Sequence, residues 1–277
     1  MKRGGGSRRA IAAKTEAQLV RMRRSGSIVA EALASVAQAA RPGVSTAELD
    51  AVAAEVIARR QAIPSFLGYQ ADGRRYPAVT CISLNDVVVH GIPRPETKLR
   101  AGDIVSIDVG ACYKGYHADA ALTLAIGEVS EQAQVLLRVT REALGLGIQQ
   151  AVAGSTVRAI GEAIQKHVEA AGFSVVRALT GHGIGHSMHE PPSVPNFATE
   201  GREVRLKSNM TLAIEPMVNA GTHEVMLDAD GWTMRTADGG LSAHFEHTVI
   251  VREGRAEVIT GGAGPGPAPS LVNGGAP

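Results

Sequence analysis

Cysteine is nearly absent from the chain: only Cys81 and Cys112 occur, in no paired or CxxC arrangement. That excludes a disulfide scaffold and a zinc–thiolate site, and it makes a reducing cytoplasm the simplest compartment. Long hydrophobic runs are missing too, and nothing approaches the roughly 20 apolar residues of a membrane span. The basic start, Lys2-Arg3 and Arg8-Arg9, has the charge of a secretory leader. Lys14, Glu16, Arg21, Arg23 and Arg24 then interrupt the place where its apolar segment would have to lie. Neither sign of charge dominates: 28 Lys+Arg against 27 Asp+Glu leave a net charge of +1. That balance argues against bulk nucleic acid as a specific partner. The expectation is a cytoplasmic protein with no membrane and no specific nucleic-acid partner.

What is present is an ordinary globular composition. A hydrophobic content of 44% over 277 residues supports a real core in one large domain or two ordinary ones. Residues 1–13 are Gly/Arg-rich and 261–277 rich in Gly, Pro and Ala, which marks both as flexible tails around a single domain at 14–260. Thr15 with Gln18 forms a capping-box pattern ahead of an apolar series from Leu19 to Val36. Pro42-Gly43 ends that helix, and Ser45 with Glu48 opens a second. Short strands are predicted at Ala78 to Ser83 and Val87 to Val89. After the central hairpin the pattern restarts: Ser130 caps one helix and Gly154-Ser155-Thr156 opens another. Strand-like runs then return at Ser174 to Leu179, Met210 to Ile214 and Phe245 to Val251. Two helices followed by strands, given twice, predict an α+β domain built from two related halves.

The hairpin lies in Asp103 to Gly127. Val105, Ile107 and Val109 alternate with Ser106, Asp108 and Gly110, the period of a strand with one buried face. Lys114-Gly115 between strand-forming runs predicts a tight turn. Counting outward from a Tyr113–Tyr116 pair sets Gly110 opposite Asp119 and Asp108 opposite Ala121. Both aspartates then share one face as diagonal neighbours, at most about 7–8 Å apart by backbone position. The other face pairs Val109 with Ala120, Ile107 with Leu122 and Val105 with Leu124. Carboxylates side by side repel unless a proton or cation lies between them, and this separation suits a metal pair about 3.5–4 Å apart. A solvated sheet face is the competing reading, so the outcome depends on what else reaches this face.

Three further groups are candidates. His182 sits in Gly181-His182-Gly183-Ile184-Gly185, where small neighbours leave the imidazole unobstructed. Glu215 ends the apolar run Thr211 to Ile214, and Glu246 lies just before Thr248 to Val251. A carboxylate on a buried strand needs a cation, a metal or a proton. Asp108, Asp119, His182, Glu215 and Glu246 together offer four carboxylates and one imidazole, a donor set suited to a pair of Mn, Fe, Co or Zn ions. His90, before Gly91-Ile92-Pro93, and His189, before Glu190-Pro191-Pro192, are placed to donate a hydrogen bond to a polarised carbonyl or a developing oxyanion. His117, His186, His244 and His247 have no comparable case and are expected to be structural or surface groups.

With these segments in hand, the chain from about 15 to about 260 closely resembles the type I methionine aminopeptidases in their short bacterial form. The matching pieces are NDVVVHGIP at 85–93, DIVSIDV at 103–109 with Asp119 after it, GHGIGHSMHEPP at 181–192, IEPMVNAG at 214–221, DGWT at 230–233 and LSAHFEHT at 241–248. The resemblance implies the pita-bread fold, with internal pseudo-twofold symmetry around a central antiparallel sheet. It implies a two-metal hydrolase that removes the initiator methionine from nascent chains with a small second residue. Asp108 would serve mainly one ion, Asp119 and Glu246 both, and His182 with Glu215 the other. Glu215 would act as general base, His189 would hold the scissile carbonyl, and His90 would contact the peptide near the scissile amide. Tyr69, Tyr76, Cys81, Met188 and Trp232 fall at methionine-pocket positions. Asn85, Val87 and Ser242 match a monovalent-cation site of the family. A monomer working near the ribosomal exit tunnel is the implied setting.

Two departures from the family pattern stand out. The loop between Tyr69 and Tyr76 is longer than usual, and Met188 stands where Phe is common. Xaa-Pro dipeptidases share the five ligands but carry an additional N-terminal domain, for which residues 1–80 leave no room. A pita-bread binding protein without catalysis would typically lack a ligand, and none is missing here.

Overall fold

In the computed structural model, residues 11–201 and 203–261 are described. Most of the two expected tails, 1–10 and 262–277, lies outside them. Within the segment drawn as the N-terminal tail, Ile11 packs against the core of the second half.

Helix α1, Glu16–Ala39, opens on the Thr15 capping box, and helix α2, Thr46–Arg59, on the Ser45–Glu48 box. In each, a side-chain oxygen satisfies a backbone donor that the helix leaves orphaned. Helix α3, Glu131–Gln150, is capped by Ser130, and helix α4, Val157–Ala170, by Thr156. The repeat is visible in the loops as well. Ser45, capping α2, bridges Lys98 in antiparallel fashion, and Thr156, capping α4, bridges Arg205 in the same way.

Each helix pair covers a sheet. In the first half, Ile104–Tyr113 and Tyr116–Ala125 form the predicted hairpin, with Lys114 and Gly115 both at positive φ in its turn. Thr80–Leu84 and Ile63–Pro64 flank the Ile104–Tyr113 strand. Val105, Ile107, Val109 and Ala120 are fully buried beneath α1 and α2 among Ile28, Val36 and Leu49. In the second half a five-stranded antiparallel sheet runs Glu190–Val194, Gly181–Gly183, Thr211–Ile214, His247–Ile250, Glu257–Val258. Leu136, Ile160, Ile164, Leu212, Ile214 and Val249 form its core with α3 and α4. Leu122 packs against both cores. The halves join where the Glu246 N–H donates to the Ala121 carbonyl at 2.9 Å and the Ala121 N–H returns a bond to the Glu246 carbonyl at 3.3 Å.

One expected strand is shorter than its sequence suggests. Only Ser174–Val175 of the run to Leu179 pairs as a strand. The Val176 N–H still donates to the Met217 carbonyl. The chain then bends at Arg177 and Ala178 and carries Leu179 and Thr180 to the wall of a cavity. The long Tyr69–Tyr76 loop is itself a small hairpin, Gln70–Ala71 against Arg74–Arg75. Its turn residues Asp72 and Gly73 both lie at positive φ, as an Asp-Gly turn of this kind requires.

Two helical glycines separate propensity from packing. A Cβ on Gly145 would meet nothing within 4 Å, whereas one on Gly161 would lie 2.7 Å from the Pro195 carbonyl oxygen and closer still to that of Phe197. Gly145→Ala is expected to stabilise by about 0.5–1 kcal/mol, a rise of roughly 1–4 °C in unfolding temperature for a chain of this size. Gly161→Ala is expected to lower it, because backbone must move to admit the methyl group. Thermal denaturation of the two variants checks this, and a destabilised Gly145→Ala or a stabilised Gly161→Ala would contradict it.

Candidate metal centre and active-site cavity

The register predicted for the hairpin is the one observed: Gly110 pairs with Asp119 and Asp108 with Ala121. Strand alternation therefore puts both carboxylates on the face away from α1. They lie close enough for the charge of Asp108 to help raise Asp119. Thr248 fixes Asp119 from the second half, its hydroxyl accepting from the Asp119 N–H at 2.9 Å and donating to the Asp119 carbonyl at 2.7 Å.

The second sheet brings the rest. His182 pairs with Ala213, and Ile214 with His247, so Glu215 and Glu246 emerge beside each other at the ends of adjoining strands. His182 Nε2 lies 3.5 Å from Glu215 Oε1. Its Nδ1 sits 2.9 Å from the Gly183 carbonyl oxygen, an acceptor that only an N–H can satisfy, which leaves Nε2 as a free lone pair. The Asn196 side-chain amide holds the Glu215 carbonyl at 3.0 Å. One donor atom each of Asp119, His182 and Glu246 falls within 4.8 Å of the others.

The electrostatics of this floor are unfavourable without a cation. Asp119, His182 and Glu246 are buried, and Asp108 Oδ1, Asp119 Oδ1 and Glu246 Oε1 have no hydrogen-bond partner. Among the described residues, no Lys or Arg pairs with any of the four carboxylates. Burial pushes Asp108 up to about 7. Burial also raises Asp119, reinforced by the charges of Glu246 and Asp108. Glu215 and Glu246 rise for the same reason, with neighbouring carboxylates adding to it. Hard oxygen donors with orphaned lone pairs and one imidazole are the donors a divalent ion takes, so the residues fit a metal centre.

Above the floor lies a cavity of ≈ 280 Å³. The five expected ligands line it together with His90, His189, Tyr69, Tyr76, Cys81 and Trp232. Tyr76 and Trp232 meet edge-on, with ring centroids 5.3 Å apart. The Tyr76 hydroxyl donates to the carbonyls of Thr80 and Gly91. Phe66, Val89, Leu179 and Met217 complete the apolar wall. Val89 and Met217 lie inside the pieces NDVVVHGIP and IEPMVNAG, but the sequence assigns none of the four a role, since an apolar residue on a strand has no sequence mark that separates a cavity wall from a core. Met188 is placed differently from expectation. It is buried behind the wall with Phe66, Tyr76, Cys81 and Ile184 and does not reach the cavity surface. From the long loop, Ala71 reaches the cavity, and Arg74 lies against the backbone of Gly231, beside Trp232.

Burial lowers both His189 and His90, His90 down to about 4, where repulsion between the two rings in their protonated forms adds to it. The His189 ring lies tilted against that of His182, with centroids 4.3 Å apart, and its Nδ1 lies 2.7 Å from the Tyr69 hydroxyl. The next residue, Glu190, is gripped by Lys14 Nζ at 2.7 Å and by the Ser187 N–H at 3.0 Å. His90 sits at φ 60, a left-handed conformation uncommon outside glycine.

Of the histidines set aside as structural, His117 meets Ser65, His186 the Gly115 carbonyl and His247 the Thr260 hydroxyl. His244 is different: its Nε2 lies 3.9 Å from both Glu215 and Glu246. Asn85 and Ser242 meet through their backbones. The Asn85 carbonyl already accepts the Ser242 N–H at 2.8 Å, and the strand bearing Val87 pairs with Met234–Thr236.

The shifts imply a pH dependence for metal-free protein. Burial lowers His90, His182, His244 and His247 to between about 3 and about 4. They therefore add stability as pH rises through their unfolded value of about 6.5, a gain that fades within about one unit above it. The raised carboxylates act oppositely. The folded protein binds more protons than the unfolded chain, so stability is lost as pH rises through their folded values, about 7 for Asp108. Between pH 6.5 and 8 the histidines add only the last part of their gain, and the four raised carboxyl groups, losing protons together, outweigh it. Metal-stripped protein is expected to unfold a few degrees lower at pH 8 than at pH 6.5, since one proton per pH unit is about 1.4 kcal/mol. A divalent cation should abolish the drop. Thermal unfolding at the two pH values checks this, and an unchanged or higher midpoint at pH 8 would contradict it.

Comparison with known proteins agrees with this geometry. The profile of Metallopeptidase family M24 matches residues 20–253. The methionine aminopeptidase of Clostridium acetobutylicum is 46% identical over 250 residues, covering 90% of this chain and 98% of the relative. That of Escherichia coli strain K12 is 43% identical over 252 residues, covering 91% and 94%. The crystal structure of methionine aminopeptidase from Thermotoga maritima superposes with a TM-score of 0.88 at 41% identity, covering 91% of this chain and 100% of that one. The prolidase from Pyrococcus furiosus, at 20% identity and a TM-score of 0.72 over 91% and 66% of the two chains, shares the fold alone. With the family profile spanning both helix–sheet halves and the buried carboxylate floor between them, the chain belongs to metallopeptidase family M24 and has its pita-bread fold.

Proposed function

We infer that this protein is a methionine aminopeptidase, a two-metal hydrolase that removes the initiator methionine from nascent polypeptides whose second residue is small. The observation that carries the reading is the convergence of Asp108, Asp119, His182, Glu215 and Glu246 on the floor of one cavity, with three of their oxygens orphaned. Its wall suits a thioether side chain: Tyr76, Trp232 and Phe66 offer ring edges and faces, and Cys81 a second soft sulfur.

Asp108, Asp119 and Glu246 would hold one ion, and Asp119, Glu246, His182 and Glu215 the other, drawn from Mn, Fe, Co or Zn. Two such ions would supply Lewis acidity, polarising the scissile carbonyl and making water nucleophilic near neutral pH. The chain's own groups do the rest. Glu215 takes the proton of the attacking water and passes it to the leaving amine. Tyr69, kept protonated by burial, donates to His189 Nδ1. The neutral imidazole then carries its proton on Nε2, a donor for the scissile carbonyl as negative charge develops. His90, uncharged and fixed by its backbone, contacts the peptide near the scissile amide. The Lys14–Glu190 ion pair anchors the loop that presents His189. A monovalent ion at Asn85, Val87 and Ser242, action as a monomer, and a place in the cytoplasm near the ribosomal exit tunnel complete the proposal.

Cleavage of Met-Ala-Ser and Met-Leu-Ser peptides by metal-stripped protein, before and after return of Mn, Co, Fe or Zn, tests the reading. Metal-dependent release of methionine from the alanine peptide alone is expected, and its loss in Asp108→Ala and His189→Ala. A folded wild-type protein that releases none with any metal would overturn it. Tyr69→Phe is expected to keep metal affinity and lose about 3–10-fold in kcat, the worth of one neutral hydrogen bond near 1 kcal/mol. An unchanged kcat would remove Tyr69 from the mechanism.

A further inference from the structure

His244 occupies a place in the fold that its sequence context does not announce. It ends the strand Ser242–His244, opposite Met217. Its backbone is clamped by one side chain. Its N–H donates to Thr123 Oγ1 at 2.9 Å, and its carbonyl accepts from the same hydroxyl at 2.8 Å. The imidazole is 3% exposed, and its Nε2 has no hydrogen-bond partner. That atom lies 3.9 Å from Glu215 Oε2 and 3.9 Å from Glu246 Oε2, just outside bonding range of two proposed metal ligands.

Buried polar atoms without partners are costly and uncommon, and one aimed between two carboxylates calls for a reason. A neutral imidazole carries a single proton. On Nδ1 it would leave the Nε2 lone pair facing carboxylate oxygens on both sides, a repulsive arrangement. On Nε2 it gives those oxygens a donor. The terminal torsion of glutamate is soft, so a small turn of either carboxylate closes the gap. His244 stands outside the group of donor atoms that come within 4.8 Å of one another, which argues against its being a ligand itself.

We propose that His244 is a positioning residue of the metal centre, whose Nε2–H bonds the carboxylates of Glu215 and Glu246 and sets how tightly they hold a divalent cation. This rests on the metallopeptidase reading above. Partners of this kind orient metal ligands, and their loss weakens metal affinity by about 10–100-fold.

The test is titration of metal-stripped protein with Mn(II) and Co(II), followed by calorimetry and by the visible spectrum of the cobalt form. His244→Met removes the donor at similar bulk and is expected to bind about 10–100-fold more weakly. His244→Gln retains an N–H and is expected to stay within about threefold of wild type. A purely structural role would instead lower the unfolding temperature of the metal-free variants and leave affinity untouched. In the Zn-loaded wild type, the long-range 1H–15N imidazole spectrum, assigned through the signal lost in His244→Gln, should show the Nε2–H tautomer. That measurement carries the test if His244→Met fails to fold. Wild-type affinity in His244→Met, an equal loss in His244→Gln, or an Nδ1–H tautomer would each overturn the inference while leaving the enzyme reading intact. Wild-type protein that binds no divalent cation would overturn both.

Discussion

Four carboxylates brought together out of water set the terms for this molecule. Each alone would be costly to bury in charged form, and together they repel. The fold nevertheless presses Asp108, Asp119, Glu215 and Glu246 into one floor and leaves three oxygens without donors. That arrangement is tolerable only if protons or cations occupy it: burial and mutual repulsion push the carboxyl groups upward, while burial holds the neighbouring imidazoles toward neutrality. The same desolvation that strains the metal-free protein supplies the chemistry. A histidine held uncharged can donate a hydrogen bond without competing for a cation, and a carboxylate with a raised proton affinity is suited to taking a proton from water.

Holding such a floor requires scaffolding from both halves. The hairpin contributes its two aspartates through alternation alone, with α1 and α2 sealing the opposite face. The second sheet contributes His182, Glu215 and Glu246 at strand ends. The backbone pair between Ala121 and Glu246 and the two-way hydrogen bonding of Thr248 with Asp119 lock one set against the other. Because each half has its own helix pair and its own core, the seam between them can be polar without weakening either. Leu122, packed against both cores, marks how thin that seam is.

Much of this was legible in the residues, for identifiable reasons. Capping boxes at Thr15 and Ser45 are local hydrogen-bond patterns, so they appear in the structure where the sequence puts them. The Lys114-Gly115 turn sets a register by counting, and every pair from Val105–Leu124 to Tyr113–Tyr116 follows from it. The candidate ligands carry a different signal, acids and a histidine set in apolar strand runs where a solvated charge has no place. The same logic failed where the deciding contact is distant. The strand expected to Leu179 bends away after Val175, because its later residues exchange sheet pairing for the cavity wall. Met188, next to His189 in sequence, is turned into the core behind the wall.

Sequence by itself therefore determined the helices, the hairpin register, the five candidate ligands and the repeat that makes two halves. Each of these depends on residues within one turn, one strand or one motif. Only the tertiary structure decided that Phe66, Val89 and Met217 form the cavity wall, and that the long loop folds into a hairpin bringing Ala71 to it. It also decided that His244 stands between two proposed ligands while His186 and His247 do not. The physical reason is that exposure and hydrogen bonding at these positions are settled by segments brought together from across the chain. His244, for example, is clamped by Thr123, 121 positions away, a proximity that no local periodicity encodes.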